Sequence, residues 1–145
     1  MNCYLDSSAL LRGLLRGGEV LEELARYSKV GSSELILIEC ARVVERYRLE
    51  NLLSDEQLAE AREALRIAGE GLFLIEITAG VKRRAAESFP TVIGALDAIH
   101  LASAILWRQG EPETDLVLLS HDRQLATCAR ALGLALHPGV ESGGA

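Results

Sequence analysis

The sequence contains no apolar run long enough to cross a membrane as a helix, and its start, MNCYLDSSALL, lacks the basic segment of a signal peptide. Cysteine is scarce. The three that occur, Cys3, Cys40 and Cys128, are odd in number and widely spaced in apolar surroundings. This pattern predicts reduced core thiols in a cytoplasmic protein and argues against a disulfide framework or a zinc site.

The sequence also lacks an excess of positive charge. It has 15 Lys and Arg residues against 21 Asp and Glu residues, which gives a formal net charge of -6. A protein that coats nucleic acid non-specifically would be basic, so the charge argues against that class. It does not exclude a nuclease, because a metal site needs carboxylates and bound cations cancel part of their charge.

What is present is enough apolar material for one compact domain. The chain has 145 residues, of which 49% are hydrophobic, and it shows no internal repeat, linker or low-complexity tract. We place the domain at residues 1–138. The last segment, 139–145, carries three glycines and a serine, so we expect a flexible tail there.

Short apolar runs alternate with segments of helical spacing. Strands are predicted at 2–5, 30–32, 72–77, 116–119 and 134–136. Helices are predicted at 7–16, 19–28, 33–49, 79–88, 96–108 and 122–132, with another after a Ser54–Gln57 capping box. The apolar runs are unbroken, which is typical of strands buried on both faces. The sequence therefore predicts an α/β fold, a three-layer α/β/α sandwich around a small parallel sheet.

Four carboxylates occupy unusual places in this pattern. Asp6 directly follows the first predicted strand, and Asp122 follows the strand at 116–119. Glu39 and Asp97 interrupt strongly apolar helices, where a carboxylate is rare unless it is paired or binds a metal.

Each of the four has an ordinary explanation when it is taken alone. Asp6 suits the first turn of a helix, as does Asp122 if Ser120 caps that helix. Glu39 suits an ion pair with Arg42 or Arg46 on its own helix. Asp97, at the start of its predicted helix, suits a favourable interaction with the helix dipole.

Taken together, the four acids indicate a metal site. Ligands of parallel sheets lie beyond the carboxyl ends of the strands, and all four acids are placed to meet there. Oxygen ligands, with few imidazoles and no cysteine pair, suit Mg²⁺ or Mn²⁺ rather than zinc. The chemistry this predicts is metal-assisted hydrolysis of phosphodiesters.

The same segments resemble the PIN-domain family, most closely the VapC-type toxins of toxin–antitoxin pairs. The resemblance runs over nearly the whole chain, through the motifs YLDSSALL, LILIECAR, LDAIHLASA and LLSHDRQLATCARALGLAL in that order. The third motif is the most specific. His121, immediately before Asp122, is a departure at a position where the family shows no particular residue.

The resemblance implies a divalent-metal-dependent endoribonuclease with Mg²⁺ or Mn²⁺ as cofactor and RNA as substrate. It carries over Asp6, Glu39, Asp97 and Asp122 as the acidic quartet, with Asp6 and Asp97 as the foremost direct metal ligands. Ser8 and Ser120 fall at supporting hydroxyl positions, where they either orient a carboxylate or cap a helix. It further implies a small antitoxin that covers the acidic site, and a homodimer.

Two alternatives remain open at this point. One is a non-catalytic module of the same fold that serves as a scaffold or binds RNA without cutting it. The other is a receiver or dehalogenase-like phosphotransferase, because these also place an Asp after the first strand. The acidic pair of a receiver and the second Asp of a dehalogenase are both missing, and Ser8 stands at the latter position.

Several further residues have ordinary explanations. His100, one turn after Asp97, is expected to be a hydrogen-bonded core or rim residue, with a supporting role in the site as the alternative. His121 is expected in a loop, and His137 has no obvious partner. Two basic groups, Lys82–Arg84 and Arg42, Arg46 and Arg48, are expected to be solvated helix faces, with contact to RNA phosphates as the alternative. Tyr4 and Trp107 are expected in the core.

Overall fold

A computed structural model of the chain describes residues 1–16 and 19–138, and the side chains of 1–16 and 22–138. The segment predicted to be a flexible tail, 139–145, lies outside the described residues. Within the described part, no helix combines the length and the apolar character that a membrane crossing requires.

Five strands alternate with seven helices in the described part of the chain. The strands are β1 (Asn2–Leu5), β2 (Lys29–Ser33), β3 (Phe73–Ile75), β4 (Leu116–Leu119) and β5 (Ala135–Leu136). The helices are α1 (Ser7–Arg16), α2 (Glu19–Leu24), α3 (Leu35–Leu49), α4 (Asp55–Gly71), α5 (Ala79–Ala86), α6 (Ala95–Gly110) and α7 (Arg123–Ala131).

The strands form one sheet in the order β3-β2-β1-β4-β5, and every neighbouring pair is parallel. The chain builds outward from β1 to β3 and then returns to place β4 on the other side of β1. The strand order therefore reverses between β1 and β4. Such a reversal leaves a crevice at the carboxyl edge of a parallel sheet, where ligands are usually bound.

Two apolar clusters cover the two faces of the sheet. On one face, Cys3 and Leu5 of β1 pack in a cluster with Ile36 and Cys40 of α3. Residues of α1 and partly buried residues of α4 complete this cluster. Tyr4 points the other way, toward Leu101 and its neighbours on α6 and α7. Alternate residues of β1 thus serve opposite layers, as the period of a strand requires. The predicted three-layer α/β/α sandwich is confirmed.

The predicted helix ends are confirmed where local chemistry defines them. The hydroxyl of Ser54 accepts from the Gln57 amide, and the Gln57 side chain accepts from the Ser54 amide, which completes the capping box. Gly133 has a φ of 79° after α7, and the amide of Leu134 donates to the carbonyl of Ala129. Glycine adopts this left-handed backbone without strain and so closes the helix.

The prediction of a helix over 19–28 was wrong at its end, because α2 stops at Leu24. After it, the chain turns so that the Tyr27 hydroxyl contacts the His137 ring. This contact joins residues far apart in sequence, so helical spacing could not reveal it. The other strand and helix boundaries differ from the predictions by at most two residues, within the usual uncertainty of helix and strand ends.

Candidate active site

The four predicted carboxylates all lie at the carboxyl edge of the sheet. Asp6 directly follows β1, and Asp122 follows β4, the strand beside it. Glu39 lies in α3, which starts just beyond β2, and Asp97 lies in the first turn of α6. Since α6 leads back to the start of β4, its own start lies at the same edge. The site therefore occupies the crevice where the strand order reverses.

Asp6 is the most enclosed of the four, with 3% of its surface exposed. Two hydroxyls donate to its Oδ2 atom, that of Ser8 at 2.6 Å and that of Ser120 at 2.8 Å. These serines are themselves held by backbone amides, since His121 N–H donates to Ser8 and Asp122 N–H donates to Ser120. Ser8 and Ser120 thus orient the carboxylate of Asp6, and neither caps its own helix as the alternative proposed.

Glu39 is joined to the core by a buried histidine. Its Oε1 lies 2.5 Å from Nε2 of His100, and the other ring nitrogen lies 2.7 Å from the hydroxyl of Tyr4. The Ser33 amide donates to that same hydroxyl. With the Tyr4 hydroxyl donating to Nδ1, Nε2 carries the proton and donates to Glu39. The predicted alternative for Glu39, a pair with Arg42 or Arg46, is not what forms.

His100 also lies 4.0 Å from Asp6, so it contacts two of the four acids. Burial acts to lower the pKa of His100, but the hydrogen bond that it donates to Glu39 and the charges of Glu39, Asp6 and Asp97 outweigh it and raise the pKa. The expectation of a buried, hydrogen-bonded histidine is confirmed, and the carboxylate that His100 contacts belongs to one of the four candidate site residues.

The pKa of Asp97 depends on its burial and on the charges of the other three acids. Its pKa is raised to about 6, first by partial burial and then by the negative charges of Asp122, Asp6 and Glu39, against the opposing effect of His100. A carboxylate whose pKa is raised by partial burial and by neighbouring negative charge lies in a poorly solvated, acidic place. Asp97 therefore shares the electrostatic environment of the other three acids.

Asp122 has a structural task in addition to its place in this site. It is the N-cap of α7, and its Oδ1 accepts from the amides of Gln124 and Leu125. The sequence placed Asp122 in the first turn with Ser120 as the cap, and this was wrong. Ser120 is turned inward to Asp6 instead.

Comparison with known protein families identifies the family of this chain. Residues 3–131 match the family described as the PIN domain, which is most of the chain. The chain is a PIN-domain protein. PIN domains are generally nucleases, so the family places the chain among the hydrolases. Comparison with curated proteins gives no match.

The fold of this PIN domain is also found among solved structures. One match is a chain of the VapBC2 complex from Rickettsia felis, which was crystallised bound to a DNA fragment from its promoter. The TM-score is 0.66, the identity is 17%, and the match covers 94% of this chain and 98% of the other. At this identity the likeness shows the fold alone.

The acidic site of this PIN domain fits a divalent cation in its chemistry. Its donors are carboxylate oxygens, which Mg²⁺ and Mn²⁺ prefer, and a cation would relieve the repulsion that raises the pKa of Asp97. Among the residues that the structure describes, no three Asp, Glu, His or Cys side chains are already gathered closely enough to hold one ion. Magnesium does not need three, because it keeps several waters and binds through one or two carboxylates.

Sequence reasoning missed how the histidines of this PIN domain are used. His100 follows Asp97 by three residues, so both face the same edge of α6, and this spacing was the available signal. His137 had no obvious partner in the sequence, and the structure shows partners for it. It is buried between Tyr27 and Glu23, which come from a distant part of the sequence. His121 lies exposed between β4 and α7, as predicted.

Proposed function

We propose that this PIN domain is a Mg²⁺- or Mn²⁺-dependent endoribonuclease and the toxin of a type II toxin–antitoxin pair in the cytoplasm. Its substrate is RNA, and its site residues are Asp6, Glu39, Asp97 and Asp122. The observation that carries the proposal is the meeting of Asp6 and Glu39 at the crevice: two serine hydroxyls hold Asp6, and His100, which holds Glu39, also lies 4.0 Å from Asp6.

The residues of the site suit different tasks. Asp6 is fixed by two hydroxyls and Asp97 is partly exposed, so these two would hold the ion. When bound, the divalent ion lowers the pKa of a water molecule and neutralises charge on the scissile phosphate. His100 holds Oε1 of Glu39, and Oε2 accepts only a longer bond of 3.4 Å from the Ser7 hydroxyl, so Glu39 would be the base that takes a proton from the attacking water. Asp122 caps α7 through its Oδ1, and its negative charge would add to the field that attracts the ion.

The test is Mn²⁺ titration calorimetry and an RNA cleavage assay on the same samples of wild type and Asp97→Asn. We expect Asp97→Asn to abolish calorimetric binding and to lower cleavage at least 100-fold, an order of magnitude typical for loss of a group that stabilises charge in the reaction. Asp115→Asn is the matched control. Asp115 is exposed and directly precedes β4, at the opposite edge of the sheet, so both activities should be retained.

Cleavage that survives Asp97→Asn would contradict the assignment of the site. If wild type binds RNA but cuts none across many substrates and metals, the non-catalytic alternative replaces the enzyme.

The antitoxin part of the proposal is supported by the resemblance to VapC-type toxins and by the shared fold with a VapBC2 complex. An acidic crevice also attracts arginine side chains of a partner. We propose a homodimer on the resemblance alone. A small protein encoded beside this gene should form a stable complex with the wild type and suppress RNA cleavage, and failure of every such neighbour to bind would contradict the toxin assignment.

A further inference from the structure

A second, basic feature adjoins the acidic site. Helices α1 and α3 follow neighbouring parallel strands, β1 and β2, so both lead away from the carboxyl edge where Asp6 and Glu39 lie. Between them is an open cleft of about 360 Å³. Its lining residues, which we call the α1–α3 cleft, are Ser8, Leu11, Arg12, Leu15, Arg16, Val43, Arg46 and Tyr47.

The cleft begins at the acidic site itself. Ser8 lines it, and the same hydroxyl donates to Asp6. From Ser8, the residues Arg12 and Arg16 follow at intervals of four, so they lie in one row along α1. From Glu39, the residues Val43 and Tyr47 follow at the same interval along α3. From its first to its last residue, each row advances about 12 Å along its helix, at the rise of an α-helix.

The arginines of the cleft are available to a ligand. Arg12 and Arg46 form no salt bridge with any carboxylate among the described side chains, and both are exposed. Arg12 instead reaches the ring of His121, 3.4 Å away, beside Asp122. By contrast, Arg48 pairs with Glu45 at 2.5 Å. Arg46 and Arg48, which the sequence places in one basic group, therefore have different surroundings. Arg46 lines the cleft together with Arg12 and Arg16 of α1, whereas Arg48 is paired with Glu45.

We propose that the α1–α3 cleft binds a single strand of RNA, with Arg12, Arg16 and Arg46 on its phosphates and Tyr47 stacked on a base, and leads the strand to the acidic site. The inference rests on the proposed function. A cationic groove with an aromatic side chain is the usual combination for single strands. In a chain of net charge -6, three arginines in one concavity are not explained by general surface charge. The arginines also keep the phosphates near carboxylates that would otherwise repel them.

The experiment measures binding alone, so that it does not depend on cleavage. A fluorescent single-stranded RNA of mixed sequence is titrated with protein in EDTA and followed by anisotropy at several salt concentrations. In the triple variant Arg12→Gln, Arg16→Gln, Arg46→Gln, we expect each lost arginine to weaken the affinity for RNA about fivefold relative to wild type at about 0.1 M salt. The slope of log affinity against log salt should fall by about 0.7 per lost phosphate contact.

The control variant is Lys82→Gln, Arg83→Gln, Arg130→Gln. It removes the same charge from exposed positions on α5 and α7, in the other helical layer, and should bind as wild type does. Tyr47→Ala should lower affinity about tenfold, and Tyr47→Phe should retain it, because stacking needs the ring and not the hydroxyl.

Equal losses in the cleft variant and the control would overturn the proposal, since only net charge would then matter. Competition by polyglutamate as effective as by RNA would also overturn it and assign the cleft to an acidic protein segment. If the wild type cleaves RNA but the cleft variant binds RNA as tightly as the wild type, the cleft is not the RNA-binding surface. The proposed function would not be affected by that result. Cleft-dependent RNA binding without any cleavage would retain the cleft and reject the enzyme.

Discussion

At the scale of the residue, Asp97 couples the acidic site to pH. Its pKa is raised from 3.8 to about 6 in the folded protein, so the folded chain holds a proton that the unfolded chain has already released. The stability this contributes is fully present below about pH 3.8 and is lost as the pH rises through about 6. Above that pH the metal-free protein carries the cost of a charged Asp97 among like charges.

We therefore predict that Asp97→Asn becomes progressively more stable relative to wild type between about pH 4 and about pH 7 in EDTA. The change should be on the order of 1–2 kcal/mol, after allowing for solvent around this partly exposed side chain. Urea unfolding of both proteins across this range measures it. A difference that does not vary with pH would show that the neighbouring acids do not act on Asp97.

The histidines show which residue roles a sequence reveals. His100 lies one turn from Asp97, so its place on the site's side of α6 was predictable, whereas its link from Glu39 to Tyr4 depends on three elements meeting. His137 finds Tyr27 and Glu23 across more than a hundred residues of chain. No periodicity encodes such a partner, because it is chosen by packing.

At the scale of the element, Asp122 caps α7 and also faces the acidic site, and the two tasks can be separated. Asparagine is as good an N-cap as aspartate but carries no charge. We predict that Asp122→Asn unfolds within about 0.5 kcal/mol of wild type while Asp122→Ala loses about 1 kcal/mol. Urea unfolding tests the cap.

The same two variants report on the charge of Asp122 through Mn²⁺ titration. Both should bind the ion more weakly and by similar factors, because both lack the carboxylate. If Asn binds as wild type does, Asp122 acts only as a cap. Equal destabilisation by Asn and Ala would show instead that the cap hydrogen bonds do not stabilise α7.

Elements whose ends depend on local chemistry were predictable, and those that depend on distant contacts were not. The Ser54–Gln57 capping box and Gly133 act within a few residues, so the ends of α4 and α7 that they define could be derived from sequence. The end of α2 was misplaced, and the residues predicted to continue that helix include Tyr27, which contacts the distant His137 instead. The two roles left open for Ser120 could not be separated for the same reason, since its partner Asp6 follows another strand.

At the scale of the whole molecule, the acidic site sets a balance between stability and function. Repulsion among the carboxylates lowers the free energy of unfolding, and a bound cation would offset that repulsion. Because the cation binds the folded state, it should stabilise the fold by mass action. We predict that Mn²⁺ at about 100 times its Kd stabilises the wild type by about 2.7 kcal/mol. For a domain of this size that corresponds to roughly 5–10 °C in Tm.

Differential scanning calorimetry with and without Mn²⁺ measures this shift. Asp6→Asn and Asp97→Asn should show little of it, and Asp115→Asn should show all of it. A shift of the same size in Asp97→Asn would place the stabilising ion elsewhere on the molecule.

The sequence by itself determined the class of fold and the order of its elements, because strands buried on both faces leave unbroken apolar runs. It also predicted the four acids as site residues, because two follow such runs and two interrupt apolar helices. The order of the motifs also carried the resemblance to PIN domains, which the family match bears out. Only the tertiary structure decided which neighbours each side chain has: the serines that hold Asp6, the histidine that holds Glu39, and the cleft that arginines of both α1 and α3 line. The physical reason is that periodicity and capping act within a few residues, whereas these contacts exist only once distant segments pack together.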